Sequence, residues 1–123
     1  MKRTEFREKI VQLLYIFSVG GDYLKENFTD EIIERYNDIL KKIDEIDKII
    51  SDNLTGYTID RLNYVDLAII RNSVYEMVYT SIPDTISINE AINLTKKLSN
   101  LDDDSQKRFN NKLLDNIRKS LEK

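Results

Sequence analysis

The chain reads as an all-α protein, a compact single-domain helical bundle, and three observations predict it. Apolar residues recur every three or four positions along most of its 123 residues, the period of a half-buried helix. Three glycines and one proline are too few for the tight turns of a sheet protein. Ser, Thr or Asn stands ahead of an apolar run at Thr4, Thr29, Asn63 and Ser87, as at a helix start. With 41% hydrophobic residues there is enough apolar surface for one core, so residues 1–123 are read as one domain.

The first helix is predicted to start at a Thr4 cap and run to about Ser18. Phe6, Ile10, Leu13, Leu14 and Phe17 form its apolar stripe, and Gly20-Gly21 ends it. Thr29 caps the second, with Asp30 and Glu31 in the first turn, where the helix dipole favours acids. Ile32, Tyr36, Ile39, Ile43, Ile46, Ile50 and Asn53 then alternate by four and three. That seam predicts one long helix over about 30–53, with Lys41 the place for a break and Gly56 where a helix end would place it. A free-standing coiled coil is the rival reading, but the apolar helices downstream need a partner.

Asn63 caps the next helix, which runs to about Ser81 and is apolar nearly all round, the mark of a central buried helix. Pro83 pushes the residue before it out of the α region and so ends that helix. Ser87 and Glu90 have capping-box spacing, which predicts a stiff corner and then a helix over 88–98. The last helix starts near Asp104 or Ser105 and carries Phe109, Leu113, Leu114, Ile117 and Leu121. Asn111 is expected in it as a buried hydrogen-bonding group.

The chain has no cysteine and no histidine. This excludes disulfides, thiol catalysis, thiolate zinc sites and imidazole bases. It has no glycine-rich phosphate loop and no nucleophile elbow. Asp102-Asp103-Asp104 is the one tight acidic cluster, and a helix start explains it better than a metal does. The expectation is therefore a binding protein rather than an enzyme, with no cofactor. No apolar run approaches a membrane span and no secretory leader precedes the first helix, so a cytoplasmic protein without a membrane partner is expected.

The net charge of −3 hides an uneven distribution. Residues 1–12 set Lys2, Arg3, Arg7 and Lys9 against Glu5 and Glu8. Residues 105–123 set Lys107, Arg108, Lys112, Arg118, Lys119 and Lys123 against Asp115 and Glu122, while residues 22–54 hold five basic and ten acidic groups. Solvated helix faces are the plainer reading of such charge. The functional reading is that the two basic ends converge on one side of the globule and neutralise phosphates.

Three ordered segments resemble the NusB family of bacterial transcription antitermination factors. The first is Arg7-Glu8-Lys9-Ile10-Val11-Gln12-Leu13-Leu14-Tyr15. The second runs from Arg61-Leu62 through Val65-Asp66-Leu67-Ala68-Ile69-Ile70-Arg71 to Val74-Tyr75-Glu76. The third joins Ile82-Pro83, Ile88-Asn89-Glu90-Ala91 and Lys96-Lys97 to Phe109-Asn110-Asn111-Lys112-Leu113-Leu114-Asp115, with Lys112 where the family has glycine. The resemblance implies a helical RNA-binding protein that pairs with NusE, a ribosomal small-subunit protein. The pair would bind boxA-type single-stranded RNA within the RNA polymerase antitermination complex, supporting ribosomal RNA synthesis. Carried over by residue, the RNA side would be Lys2, Arg3, Arg7, Gln12 and Tyr15, with Asp104, Lys107 and Arg108. The protein-partner side would be Asp66, Tyr75 and Glu76.

Each of these residues also has a plainer role. Tyr15 fits either a base-stacking ring or a core ring with its hydroxyl at the rim. Asp66 serves as a first-turn acid beside the Asn63 cap, Tyr75 is at least partly core, and Glu76 is expected to be exposed. Asn89 and Glu90 are read as structural. Two other functions stand beside the main one. One is a NusB-like protein-interaction module without significant RNA binding. The other is an RNA-modifying enzyme, which the lack of a catalytic domain and cofactor loop disfavours.

Overall fold

A computed structural model describes residues 1–99 and 104–122. Six α-helices follow one another among them: α1 Arg3–Val19, α2 Asp30–Lys41, α3 Ile43–Asp52, α4 Tyr64–Tyr79, α5 Asp84–Leu98 and α6 Ser105–Ser120. Single 3-10 turns lie at Lys25–Asn27 and Ile59–Arg61. The architecture is all-α, as expected. No helix among the described residues is long and apolar enough to cross a membrane.

Helix α4 is the axis of the bundle. Every residue from Asp66 to Glu76 is buried, and α1, α3, α5 and α6 pack around it. Helix α2 packs on α1 and joins α3. Ile10, Leu13 and Leu14 of α1 meet Ile69, Ile70 and Val74 of α4, Ile46 and Ile50 of α3, and Leu114 and Ile117 of α6 in one core cluster. Burying each such side chain is worth about 1.5–3 kcal/mol, the dominant favourable term.

Local signals set several ends as expected. Thr29 caps α2 by accepting the Ile32 N–H at 3.3 Å, and Asn63 caps α4 by accepting the Asp66 N–H at 2.8 Å. Gly20 ends α1 at φ 74°, where a side chain would be strained, and Gly21 N–H closes the turn on the Ile16 carbonyl.

Other expectations are corrected. Thr4 lies inside α1, whose cap is Lys2 with no side-chain bond. Phe17 is 40% exposed, and Val11 takes its place in the core. The seam over 30–53 is two helices, not one. The chain breaks at Lys42 (φ −109°, ψ 9°), whose N–H bonds the Ile39 carbonyl three residues back. The break lets Ile46 and Ile50 stay on the core while Ile43 is only half-buried. Gly56 lies in the following loop rather than at the helix end, where Asn53 is the cap and donates to the Ile49 carbonyl.

Helix α4 ends at Tyr79, two residues before the expected Ser81. Helix α5 starts directly after Pro83, so Ser87 is not its cap and no capping box forms with Glu90. Ser87 lies one turn inside α5, where its hydroxyl donates to Glu76 Oε1 at 2.8 Å and lies 2.9 Å from the Ser73 hydroxyl. In α6 the buried amide is Asn110, whereas Asn111 faces solvent. Asn110 shares the face of Leu113, Leu114 and Ile117, three, four and seven residues on. Asp102 and Asp103 lie outside the described residues.

Candidate functional site

Two concave surfaces flank α4, one near each end. The first is a groove between α1, the start of α4 and the end of α5. Glu8, Val11, Gln12, Tyr15, Val65 and Leu98 line about 270 Å³ of it, and Asn63, Tyr64 and Ser99 extend it past Tyr15. Tyr15 and Tyr64 are 40% and 49% exposed, with ring centroids 6.5 Å apart and planes at 74°. Two exposed rings over an apolar floor offer a flat base a stacking surface. Gln12, one turn from Tyr15 and exposed, carries the donor and acceptor that a base edge needs. Lys97 of α5 bridges to Glu8 of α1 at 2.9 Å beside this groove. The pair is exposed and so contributes little to stability, which leaves Lys97 able to exchange its partner for a phosphate.

A buried carboxylate organises this end. Asp66 is fully buried. Its Oδ1 accepts from Asn110 Nδ2 at 2.9 Å and from the Ser99 hydroxyl at 3.2 Å, and Asn63 Nδ2 donates to its Oδ2. Asn110 Nδ2 also donates to Thr95 Oγ1 at 3.1 Å. One side chain thus ties the start of α4, the end of α5 and the first turns of α6. Those turns carry exposed Arg108 and half-buried Lys107, the latter 3.4 Å from Asp104. Asp104 is exposed just ahead of α6 and makes no side-chain cap bond.

The second surface is a cavity of about 350 Å³ between α1, α2 and the α4–α5 corner. Arg3, Phe6, Arg7, Arg35 and Glu76 are among its lining residues. Arg7 was expected on the surface, yet it is 5% exposed, and its Nε donates to Glu76 Oε2 at 2.8 Å. It lies three residues before Ile10 and seven before Leu14, so the helix turns it inward with them. Glu76 is also corrected from exposed to buried. The RNA side implied for α1 therefore divides: Arg3 and Arg7 face a different cavity from Gln12 and Tyr15. Lys2 is exposed at the head of α1.

None of the three residues implied for a protein partner lies on the surface: Asp66, Tyr75 and Glu76 are all buried. Tyr75 is core on one side and donates its hydroxyl to Asp38 Oδ2, with the Arg35 guanidinium 5.1 Å from its ring. Burial and the Asp38 bond push its hydroxyl up to about 12. Tyr79 is likewise pushed up to about 12, first by its bond to Glu45. Bonds from Lys42 and Tyr75 hold the Asp38 carboxyl below its ordinary value. This cluster joins α4 to both sides of the Lys42 break.

Sequence reasoning passed over Tyr64, Lys97 and the inward turn of Arg7. Tyr64 had a signal, an aromatic at the first position of a capped helix, ahead of the residues that turn into the core. Arg71 was missed as a structural group. It grips Asp47 through Nε at 2.9 Å and Nη2 at 2.8 Å, and Ser18 at 3.1 Å.

Residues 4–119 match the NusB family model. Transcription antitermination protein NusB of Bacillus pumilus (strain SAFR-032) is 39% identical over 131 residues, covering 98% of each chain. That of Aliarcobacter butzleri (strain RM4018) is 35% identical, covering 96% of this chain and 98% of its own. Among solved structures, T. maritima NusB superimposes with a TM-score of 0.78 at 25% identity, over 97% of this chain and 92% of its own. A chain in the crystal structure of a plectonemic RNA supercoil does so with a TM-score of 0.81 at 26% identity, over 96% of this chain and 94% of its own.

Proposed function

The chain belongs to the NusB family and is a transcription antitermination factor, and from that premise we propose that it holds single-stranded RNA in the α1–α4–α5 groove. The observation that carries this reading is the exposed Tyr15–Tyr64 pair beside Gln12, over an apolar floor of Val11, Val65 and Leu98. Tyr15 and Tyr64 stack on unpaired bases, and Gln12 reads a base edge. Lys97, Lys107 and Arg108 neutralise phosphates at one end of the strand, and Lys2 does so at the other. Asp104 sits among these cations as a carboxylate that a phosphate must avoid, so it acts on register rather than affinity.

The finer reading is that the strand is boxA-type RNA and that NusE completes the complex before it joins the RNA polymerase antitermination complex. Asp66, Tyr75 and Glu76 then serve the partner indirectly, by fixing the helix ends from inside. The supports are the family resemblance, the relatives' names and the RNA that accompanies one structural neighbour.

The test is binding of a boxA-like RNA across a salt series, with and without purified NusE. Binding should be weak alone, tighter with NusE, and weaker as salt rises. Tyr15→Ala should lower affinity by about 1–3 kcal/mol per lost stack, with an unchanged unfolding midpoint. No RNA binding with or without NusE would leave the interaction-module reading in place, which the burial of Arg7 favours.

A further inference from the structure

We propose that Asn63 and Ser99, at the α4–α5 end of the groove, form a subsite for the ribose 2′-hydroxyl of the bound strand and so distinguish RNA from DNA. The inference rests on the reading that a strand lies in this groove, and it assigns the part of each nucleotide that base stacking and phosphate contacts leave over. Both side chains line the extension past Tyr15, together with Tyr64, Val65 and Leu98. Asn63 is exposed and Ser99 half-buried, so a ligand in the groove can reach both.

The buried Asp66 carboxylate decides what these two groups can offer. Its Oδ1 accepts the Ser99 hydroxyl at 3.2 Å, which commits the hydroxyl proton inward. The serine oxygen is then left with its lone pairs, as an acceptor only. Asn63 is fixed at both ends of its amide: Oδ1 accepts the Asp66 N–H at 2.8 Å, and Nδ2 donates to Asp66 Oδ2. An amide nitrogen carries two hydrogens, and the second has no acceptor among the described residues. One donor and one acceptor therefore flank a single carboxylate, bonded to its two oxygens and held by it in opposite polarity. A hydroxyl answers both at once, because it donates and accepts through one oxygen. A phosphate suits the place poorly. It cannot donate, and it would meet the Asp66 charge, whose hydrogen-bond partners among the described residues are all neutral. The base itself is engaged elsewhere, its face by the Tyr15 and Tyr64 rings and its edge by Gln12. The sugar joins that base to the phosphates held by Lys97, Lys107 and Arg108. Ser99 lies between the two, lining the groove with the rings and tied through Asp66 to Asn110 of α6.

The test is a thermodynamic cycle on the full chain, with NusE present. The boxA-like RNA is compared with copies that carry one 2′-deoxynucleotide at each position in turn, for wild type, Ser99→Ala and Asn63→Ser. Serine is also a good helix cap, so Asn63→Ser removes the amide donor and keeps the start of α4. One position of the scan should be sensitive in wild type, where loss of the hydroxyl weakens binding about fivefold, the worth of a hydrogen bond. Ser99→Ala and Asn63→Ser should each weaken the all-ribose strand by a similar factor. Neither should weaken further the strand that is deoxy at the sensitive position. That failure of additivity separates a contact from a structural effect, which would lower affinity for both strands alike.

RNA that binds with no sensitive position, or losses that add at every position for both variants, would overturn the subsite and leave the groove standing. A second arm exchanges the base at fixed ribose. If the effect of Ser99→Ala follows the identity of the base and not the hydroxyl, the two residues read a base edge, and the proposal is equally overturned. If no strand binds, the groove reading falls and takes this inference with it.

Discussion

The two ends of α4 each bury a carboxylate and compensate it differently. Asp66, in the first turn, is held among the described residues by neutral donors: the amides of Asn63 and Asn110, the Ser99 hydroxyl and its own helix start. Glu76, in the last turn, is held by the Arg7 guanidinium and a serine. The helix dipole explains the difference. A negative charge is favoured at a helix N-terminus and disfavoured at a C-terminus, so Asp66 can do without a cation and Glu76 cannot. The lesson is that a buried acid on one helix changes its partners with its distance from the helix ends, and that its partners decide what the neighbouring surface can do. Neutral amides compensate Asp66 beside the groove proposed above for bases. At the Glu76 end the guanidinium keeps its buried Nη2 without a partner among the described residues.

Glu76→Ala tests this contrast most severely. It strands the Arg7 charge in the core and should destabilise the protein by about 3–5 kcal/mol in denaturant unfolding. The pair Arg7→Met with Glu76→Leu should recover most of that loss, because an apolar pair of similar volume removes the desolvation penalty. Asp66→Ala should cost less, about 2 kcal/mol, since it leaves neutral rather than charged donors without an acceptor. A larger loss at Asp66 than at Glu76 would break the dipole account.

Tyr75→Phe should cost about 1 kcal/mol and should also change the alkaline limb of a stability–pH curve. The Tyr75 and Tyr79 hydroxyls stand at about 12 in the fold against an ordinary 10.0. Their contribution is therefore complete below pH 10 and lost as pH rises toward 12. Asp38, held below 3.8, works in the opposite sense, and its contribution is lost as pH falls below that value. In Tyr75→Phe the fall between pH 10 and 12, followed by circular dichroism, should be shallower than in wild type.

Most of the fold was legible because helices announce themselves locally. The Thr29 and Asn63 caps, the Gly20 stop and the all-round apolar character of α4 need no knowledge of the rest of the chain. Ser87 shows where that fails. Its spacing to Glu90 is a valid start signal, but Pro83 can begin a helix as well as end one, and the true partners of Ser87 lie on α4. The site was legible in part. Gln12 and Tyr15 lie together in one groove, as their spacing of three requires. Arg7 and Asn111 were misjudged, although the phase of Arg7 to Ile10 and of Asn110, not Asn111, to Leu113 already marked which residues turn inward. The ion pairs Arg7–Glu76 and Arg71–Asp47 join residues 69 and 24 positions apart, a relation no local pattern encodes.

The interruption at Lys42 has a consequence for how the molecule breathes. Helix α3 leans on the central helix while α2 leans on α1, so the two halves of the seam can loosen separately. Backbone amides of 30–41 should exchange with heavy water sooner than those of α4. Because Asp38 of α2 accepts the Tyr75 hydroxyl, detachment of α2 would release that tyrosine in the same event, and Tyr75→Phe should speed exchange in that helix before any other.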